Sequence, residues 1–177
     1  MSTNGAASLV AAAADSGYAQ VWSTESGETL HRFLAHEGGV SAAAVSTSGR
    51  LLATGGSRDH ALRVWDMESG EERARFGTRG SAVTCVVFSH DGAHVMFGCA
   101  DSALFMGEVA SGQQVRSFVG HSAGVSSLLA GFRGALLFSG DEEGRILKWD
   151  LRSGTKLGAV QAHAGAVNTL QLTADGS

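Results

Sequence analysis

Three residue types that together perform nucleophilic chemistry occur twice in this chain: His36, Thr54 and Asp59, then His121, Ser139 and Glu143. An imidazole, a hydroxyl and a carboxylate are the parts of a hydrolytic triad. Their recurrence argues against that chemistry. A catalytic set is needed once, whereas these residues return at corresponding places along the chain. No G-x-S-x-G elbow accompanies either set.

Other chemically suggestive segments have simpler readings. His90 and His94, in "HDGAH", could form a metal pair. The Asp91-Gly92 turn explains the segment, and a pair lacks the further ligands of a zinc site. "DEEG", from Asp141 to Gly144, puts three acids in a turn. Calcium-loop oxygens are spaced over more residues, so the turn reads as solvated, with a contact for a basic partner as the alternative. Arg58, Arg73, Arg75 and Arg79 lack the interleaved aromatics of a nucleic-acid groove. Cys85 and Cys99 are the only cysteines and read as reduced and buried. There is no P-loop and no dinucleotide fingerprint. The expectation is no catalytic residue, no metal and no cofactor.

These residues must be positioned by a repeated unit. Ser-Gly recurs at Ser26-Gly27, Ser69-Gly70, Ser111-Gly112 and Ser153-Gly154, in steps of 43, 42 and 42. Phe33, Phe76, Phe118 and Val160 keep the same steps, as do Val40, Val83, Val125 and Val167. Trp22 and Trp65 are 43 apart, and Trp149 lies two periods further on. Each period holds four short alternating runs separated by polar or glycine turns, which predicts a four-stranded antiparallel meander. Ala11–Ala14 and Ala42–Ala44 favour helix locally, but the period predicts strands there. The 25 glycines and absence of proline suit many tight turns. A period of about 40–45 residues with four strands describes a propeller blade.

"HEGGV…TGGSRDHALRVWD" and "HSAGV…FSGDEEGRILKWD" resemble WD repeats. The resemblance covers essentially the whole chain. It implies an all-β fold of about four β-propeller blades, as an incomplete propeller or a segment of a larger one. One domain over 1–177 is expected, in units of approximately 1–35 (partial), 36–78, 79–120, 121–162 and 163–177 (partial). The resemblance also implies a buried structural network in each full blade: His36, Thr54, Asp59 and Trp65 in one, and His121, Ser139, Glu143 and Trp149 in another. A buried indole N–H needs an acceptor, which the hydroxyl supplies while donating onward to the histidine. The third unit departs from the pattern, with Arg79, Phe97 and Gly107 in the histidine, hydroxyl and tryptophan places and only Asp101 retained. The first unit keeps Trp22 but offers Ala12 and Ser16 for the hydroxyl and acid.

The function implied is a non-catalytic scaffold that binds a protein or peptide partner through propeller rim loops, as part of a multiprotein complex. Rim residues beside the structural acids, Asp15, Arg58, His60 and Glu142, are the candidate contacts, with Arg79 added as a long cation in a histidine's place. The runners-up are a ligand-binding or enzymatic propeller and a histone- or nucleic-acid-associated module. A net charge of −4 disfavours direct nucleic-acid binding. No apolar run reaches the roughly 18 residues of a membrane span, and no signal peptide is evident. An intracellular, cytoplasmic or nuclear protein is therefore expected. The count predicts sixteen strands, the last near Val167–Leu172. That strand either pairs with Leu9–Ala13 and closes a ring or stays apart as an open arc completed by blades from this or another chain. The open arc is preferred, because four strongly twisted blades close poorly.

Overall fold

The computed structural model describes residues 9–131 and 134–172. Every regular element among them is a β-strand, and every pairing is antiparallel. The first sheet has three strands: Leu9–Ala13 (β1), Tyr18–Ser23 (β2) and Thr29–Leu34 (β3). The second has Val40–Val45 (β4), Leu51–Gly56 (β5), Ala61–Asp66 (β6) and Glu72–Gly77 (β7). The third has Val83–Phe88 (β8), His94–Cys99 (β9), Leu104–Glu108 (β10) and Gln113–Phe118 (β11). The fourth has Val125–Ala130 (β12), Leu136–Asp141 (β13), Arg145–Asp150 (β14) and Lys156–Gln161 (β15). Each sheet is a meander of neighbouring strands, as the four runs per period predict. No helix among the described residues is long and apolar enough to cross a membrane.

The alanine runs fold as strands because packing against neighbouring core residues sets their conformation. The first strands β4, β8 and β12 lie against one another in sequence order. The equivalent places along them hold Ala43, Val86 and Leu128, so small size is not required there. Ala42 and Ala44 pack partly buried against the core formed by Leu62, Val64, Phe76 and Phe97. Tertiary packing here overrides a helix preference of a few tenths of a kcal/mol per residue.

One joint recurs between consecutive sheets. Each inner strand carries a β-bulge, and the extra residue is a hydroxyl: Ser41, Thr84 and Ser126. The bulge turns that side chain across to the next sheet. Ser41 donates to the Gly55 and Val83 carbonyls, and Thr84 to those of Gly98 and Val125. Ser126 donates to the Gly140 carbonyl at 3.2 Å and to Val167 at 2.8 Å. The valine at each receiving position fills the space over a glycine of the preceding sheet. A Cβ on Gly55 would stand 2.5 Å from Val83 Cγ1, on Gly98 2.6 Å from Val125 Cγ1, and on Gly140 2.5 Å from Val167 Cβ.

The expected sixteenth strand is absent from the described residues. Residues 162–172 form no ladder, and β1 pairs with β2 alone. Val167 still takes the place of an inner-strand start, buried and donating its N–H to the Asp141 carbonyl at 3.0 Å. The expected turns at Thr3–Gly5 and Ala174–Gly176 lie outside the described residues.

The joint predicts that Gly98→Ala costs about 1–3 kcal/mol, the usual range for overpacking a filled site. Gly77→Ala, where a Cβ meets nothing within 4 Å, should change stability by no more than about 0.5 kcal/mol. Chemical denaturation of the two variants checks this; equal midpoints would show that the valine seat does not hold the sheets.

Candidate functional site

The second sheet contains a chain of donors and acceptors that one arrangement of hydrogens satisfies. Trp65 Nε1–H donates to Thr54 Oγ1 at 2.8 Å, and the Thr54 hydroxyl donates to His36 Nε2 at 2.9 Å. His36 Nδ1–H then donates to the Asp59 carboxylate at 2.8 Å. His36 and Thr54 are almost wholly buried. Arg63 adds a hydrogen bond to Asp59 at 3.2 Å and lies over the Trp65 ring. The Arg63 Nε is left without a partner, but the Trp65–Thr54–His36–Asp59 chain is continuous and ties the β5–β6 loop and the segment ahead of β4 to the sheet.

The fourth sheet repeats the chain with a different acid. Trp149 Nε1–H donates to Ser139 Oγ at 2.7 Å, Ser139 to His121 Nε2 at 2.6 Å, and His121 Nδ1–H to a carboxylate at 2.8 Å. That carboxylate belongs to Asp141, not to Glu143 as the sequence spacing predicts. Asp141 ends β13 and is fully buried, whereas Glu143 is exposed in the turn. The second sheet shows why both routes work. Asp141 lies two residues after its hydroxyl, and the same place after Thr54 is Gly56. A Cβ on Gly56 would collide with the Asp59 carboxylate. The longer loop folds Asp59 back into the space that the Asp141 side chain fills from within the strand.

The electrostatics follow from burial and pairing. Burial, partly opposed by Asp141, holds the His121 pKa below its usual 6.5. Burial pushes the Asp141 carboxyl up, but hydrogen bonds from His121 and the Arg145 and Glu143 amides outweigh it and leave the pKa lowered. The pair is thus neutral imidazole with ionised carboxylate. Burial raises the Cys85 thiol to about 11 and the Cys99 thiol to about 12, so these free cysteines are unreactive thiols near neutral pH.

The third sheet replaces the polar chain with aromatic packing. Gly107 stands where Trp65 and Trp149 stand, and the Phe76 ring occupies the space a side chain there would need. Phe97, fully buried in the hydroxyl's place, lies 6.0 Å from Phe76 and 5.5 Å from Phe105, centroid to centroid. Arg79 is exposed rather than inserted in the histidine's place. Thr78 beside it is buried and donates to the His60 and Ser81 carbonyls. Asp101 is exposed and accepts the Ala103 amide. In the first sheet Trp22 is half-buried and registers against Val10.

Asp15, Arg58, His60, Arg79 and Glu142 are all exposed. They lie on loops between second and third strands or before a first strand, so they share one rim. Asp15, Arg58 and Glu142 hold the same place in the first, second and fourth sheets, with Ala100 there in the third. The structure brings Asp15 and Arg58 close: the Asp15 carbonyl lies by Gly39, and the Arg58 stem crosses Gly38. Glu142 lies two sheets further on, over Gly124. The spacing missed a second column on this rim. Gly17, His60, Ser102 and Gly144 close equivalent hairpins, with φ of 85°, 52°, 72° and 83°.

The paired acid predicts that Asp141→Ala costs about 3 kcal/mol, because it orphans the His121 N–H and two amides. Glu143→Ala should stay within about 0.5 kcal/mol; equal losses on chemical denaturation would restore Glu143 to the network. The pH dependence has a definite sign. The unfolded chain takes up a proton near pH 6.5 that folded His121 resists, so His121 makes stability fall as pH drops from about 6.5. Asp141 adds a further loss below about pH 4. The Tm of the parent should therefore fall more than that of His121→Asn between pH 7.5 and 5.5. A parallel fall in both would remove His121 as the cause.

The chain matches the family described as WD domain, G-beta repeat, over residues 27–66, 70–106 and 112–150. Each matched repeat begins with the outer strand of one sheet and ends within the third strand of the next. It is also 35% identical over 81 residues to the Periodic tryptophan protein 2 homolog of Schizosaccharomyces pombe (strain 972 / ATCC 24843), in an alignment covering 46% of this chain. That alignment spans 9% of the relative's length. With its matched repeats laid across four antiparallel sheets, the chain belongs to the WD-repeat family.

Proposed function

We propose that the chain is a non-catalytic scaffold, binding a protein or peptide partner through the rim that carries Asp15, Arg58, His60, Arg79 and Glu142. Membership of the WD-repeat family supports an interaction role in general. The observation that carries the choice of rim is the backbone at His60 and Arg79. Both are non-glycine residues in the left-handed region, with φ of 52° and 57°. An L-residue costs roughly 1–2 kcal/mol there, and of the three hairpins equivalent to that of His60 two carry glycine, at Gly17 and Gly144, and one Ser102. Strain of this kind persists where the side chain is used. His60 and Arg79 project from neighbouring loops, joined by the Thr78 hydrogen bonds to the His60 carbonyl.

An enzymatic or ligand-binding reading needs acids or bases converging on the central channel. The inner strands and residues 168–170 surround a cavity of about 390 Å³ there. Its lining consists of alanines, aliphatics, hydroxyls, Cys85 and Asn168, none of which exchanges a proton near neutral pH.

His60→Gly should leave stability unchanged or raise it by up to about 1 kcal/mol, because it relieves the left-handed strain. The same variant, with Arg58→Ala and Arg79→Ala alongside, should lose crosslinks to partners formed by the parent. Thermal melts and quantitative crosslinking check the two halves. Unchanged crosslinking in all three variants would move the contact surface off this rim.

A further inference from the structure

The opposite rim holds a feature that the repeat does not require. Where the third and fourth sheets meet, a cleft of about 640 Å³ opens beside the β8–β9, β12–β13 and β14–β15 turns. Its volume lies within the roughly 300–1,000 Å³ of binding pockets. Met96, Met106 and Leu151 form an apolar floor.

Arg116 makes this cleft unlike its neighbour. It registers with Met106 on the face of the third sheet turned towards the fourth. The matching position in the second sheet is Ala74, paired with Val64 and buried in the core between sheets. A long cation thus stands in a sheet-to-sheet seam where the preceding joint has a methyl group. Its Nη1 donates to the Ser153 carbonyl at 2.9 Å, and its stem crosses Gly154. Its Nε, like that of Arg63 in the second sheet, is shielded from solvent and has no hydrogen-bond partner. Burying such a donor is unfavourable unless an acceptor completes it.

The surrounding charges point to the acceptor. Arg152 lines the mouth, exposed, and the corresponding cleft between the second and third sheets has Ala110 there instead. His90 and His94 line the opposite wall. The acid among the lining residues, Asp91, is engaged by the Ser89 hydroxyl at 2.6 Å and the Ala93 amide at 3.0 Å. Asp91 stays ionised but is held by these two donors, and among the described residues neither arginine forms an ion pair with it.

We propose that this cleft is a second binding site, which takes an acidic peptide segment of a partner protein. An apolar side chain of the segment rests on Met96, Met106 and Leu151, and flanking carboxylates meet Arg116 and Arg152. The surface is separate from the rim proposed above, so either assignment can fail without the other.

The test is fluorescence anisotropy with the full chain and an eight-residue fluorescein-labelled peptide of alternating glutamate and leucine. A lysine–leucine peptide of the same length is the control. The glutamate peptide should bind saturably and weaken as salt rises, since the contacts are charged. Affinity should fall about tenfold in Arg152→Ala, an exposed position whose variant keeps the fold, and at least as far in Arg116→Met. Arg58→Ala and Arg79→Ala, on the other rim, should leave it unchanged. Binding of both peptides alike, undiminished binding by Arg152→Ala, loss through Arg58→Ala or Arg79→Ala, or no saturable binding would each overturn the assignment.

Discussion

The sheets of this chain are held in order by backbone lacking a side chain. The valine that follows, Val83, Val125 or Val167, fills the space above Gly55, Gly98 or Gly140, and a bulged hydroxyl from Ser41, Thr84 or Ser126 locks it by reaching its carbonyl. Neither part works alone. Without the glycine the strands could not approach, and without the bulge the hydroxyl would point along its own sheet. Because the same joint serves each step from the second sheet onward, while the first sheet has Ala12 in the glycine's place, the relation between these sheets is repeated rather than newly solved.

The polar networks depend on that framework but not on one recipe. The second and fourth sheets place a carboxylate against a histidine in the same way, one from a loop residue folding back over Gly56 and the other from the end of a strand. What is retained is the position of the charge, because a neutral histidine accepting from a hydroxyl must donate its other N–H. The third sheet shows that the network itself can be replaced. Phe76 and Phe97 fill the volume left by Gly107, exchanging oriented hydrogen bonds for apolar burial. Such an exchange keeps the packing while giving up the tie to the loop above, and Arg79 beside it is free to face solvent.

The two rims consequently differ in kind. One carries loops anchored by the His–hydroxyl–tryptophan chains and displays alternating charges, Asp15, Arg58 and Glu142, at equivalent places. The other is made of tight turns, and its notable feature is a seam in which Arg116 has replaced a methyl group. Loops held by a scaffold of packed sheets are where binding residues concentrate.

Much of this was legible in the sequence. A step of 42 or 43 residues in several independent columns determined strand number per sheet, the meander order and the members of the first network, because register in a repeat leaves little choice once the hydrophobic columns are aligned. Tertiary structure alone decided three matters. The acid beside His121 is Asp141, since a strand end and a loop tip can deliver a carboxylate to one point and spacing does not distinguish them. The left-handed backbone at His60 arises from a hairpin geometry that only the equivalent glycines reveal. The cleft at Arg116 exists because two sheets meet there, and residues 37 apart, Arg116 and Ser153, have no sequence relation that announces their contact. Local periodicity is set by the chain's own dihedral preferences and burial pattern, whereas which side chains converge depends on how separately formed sheets are brought together.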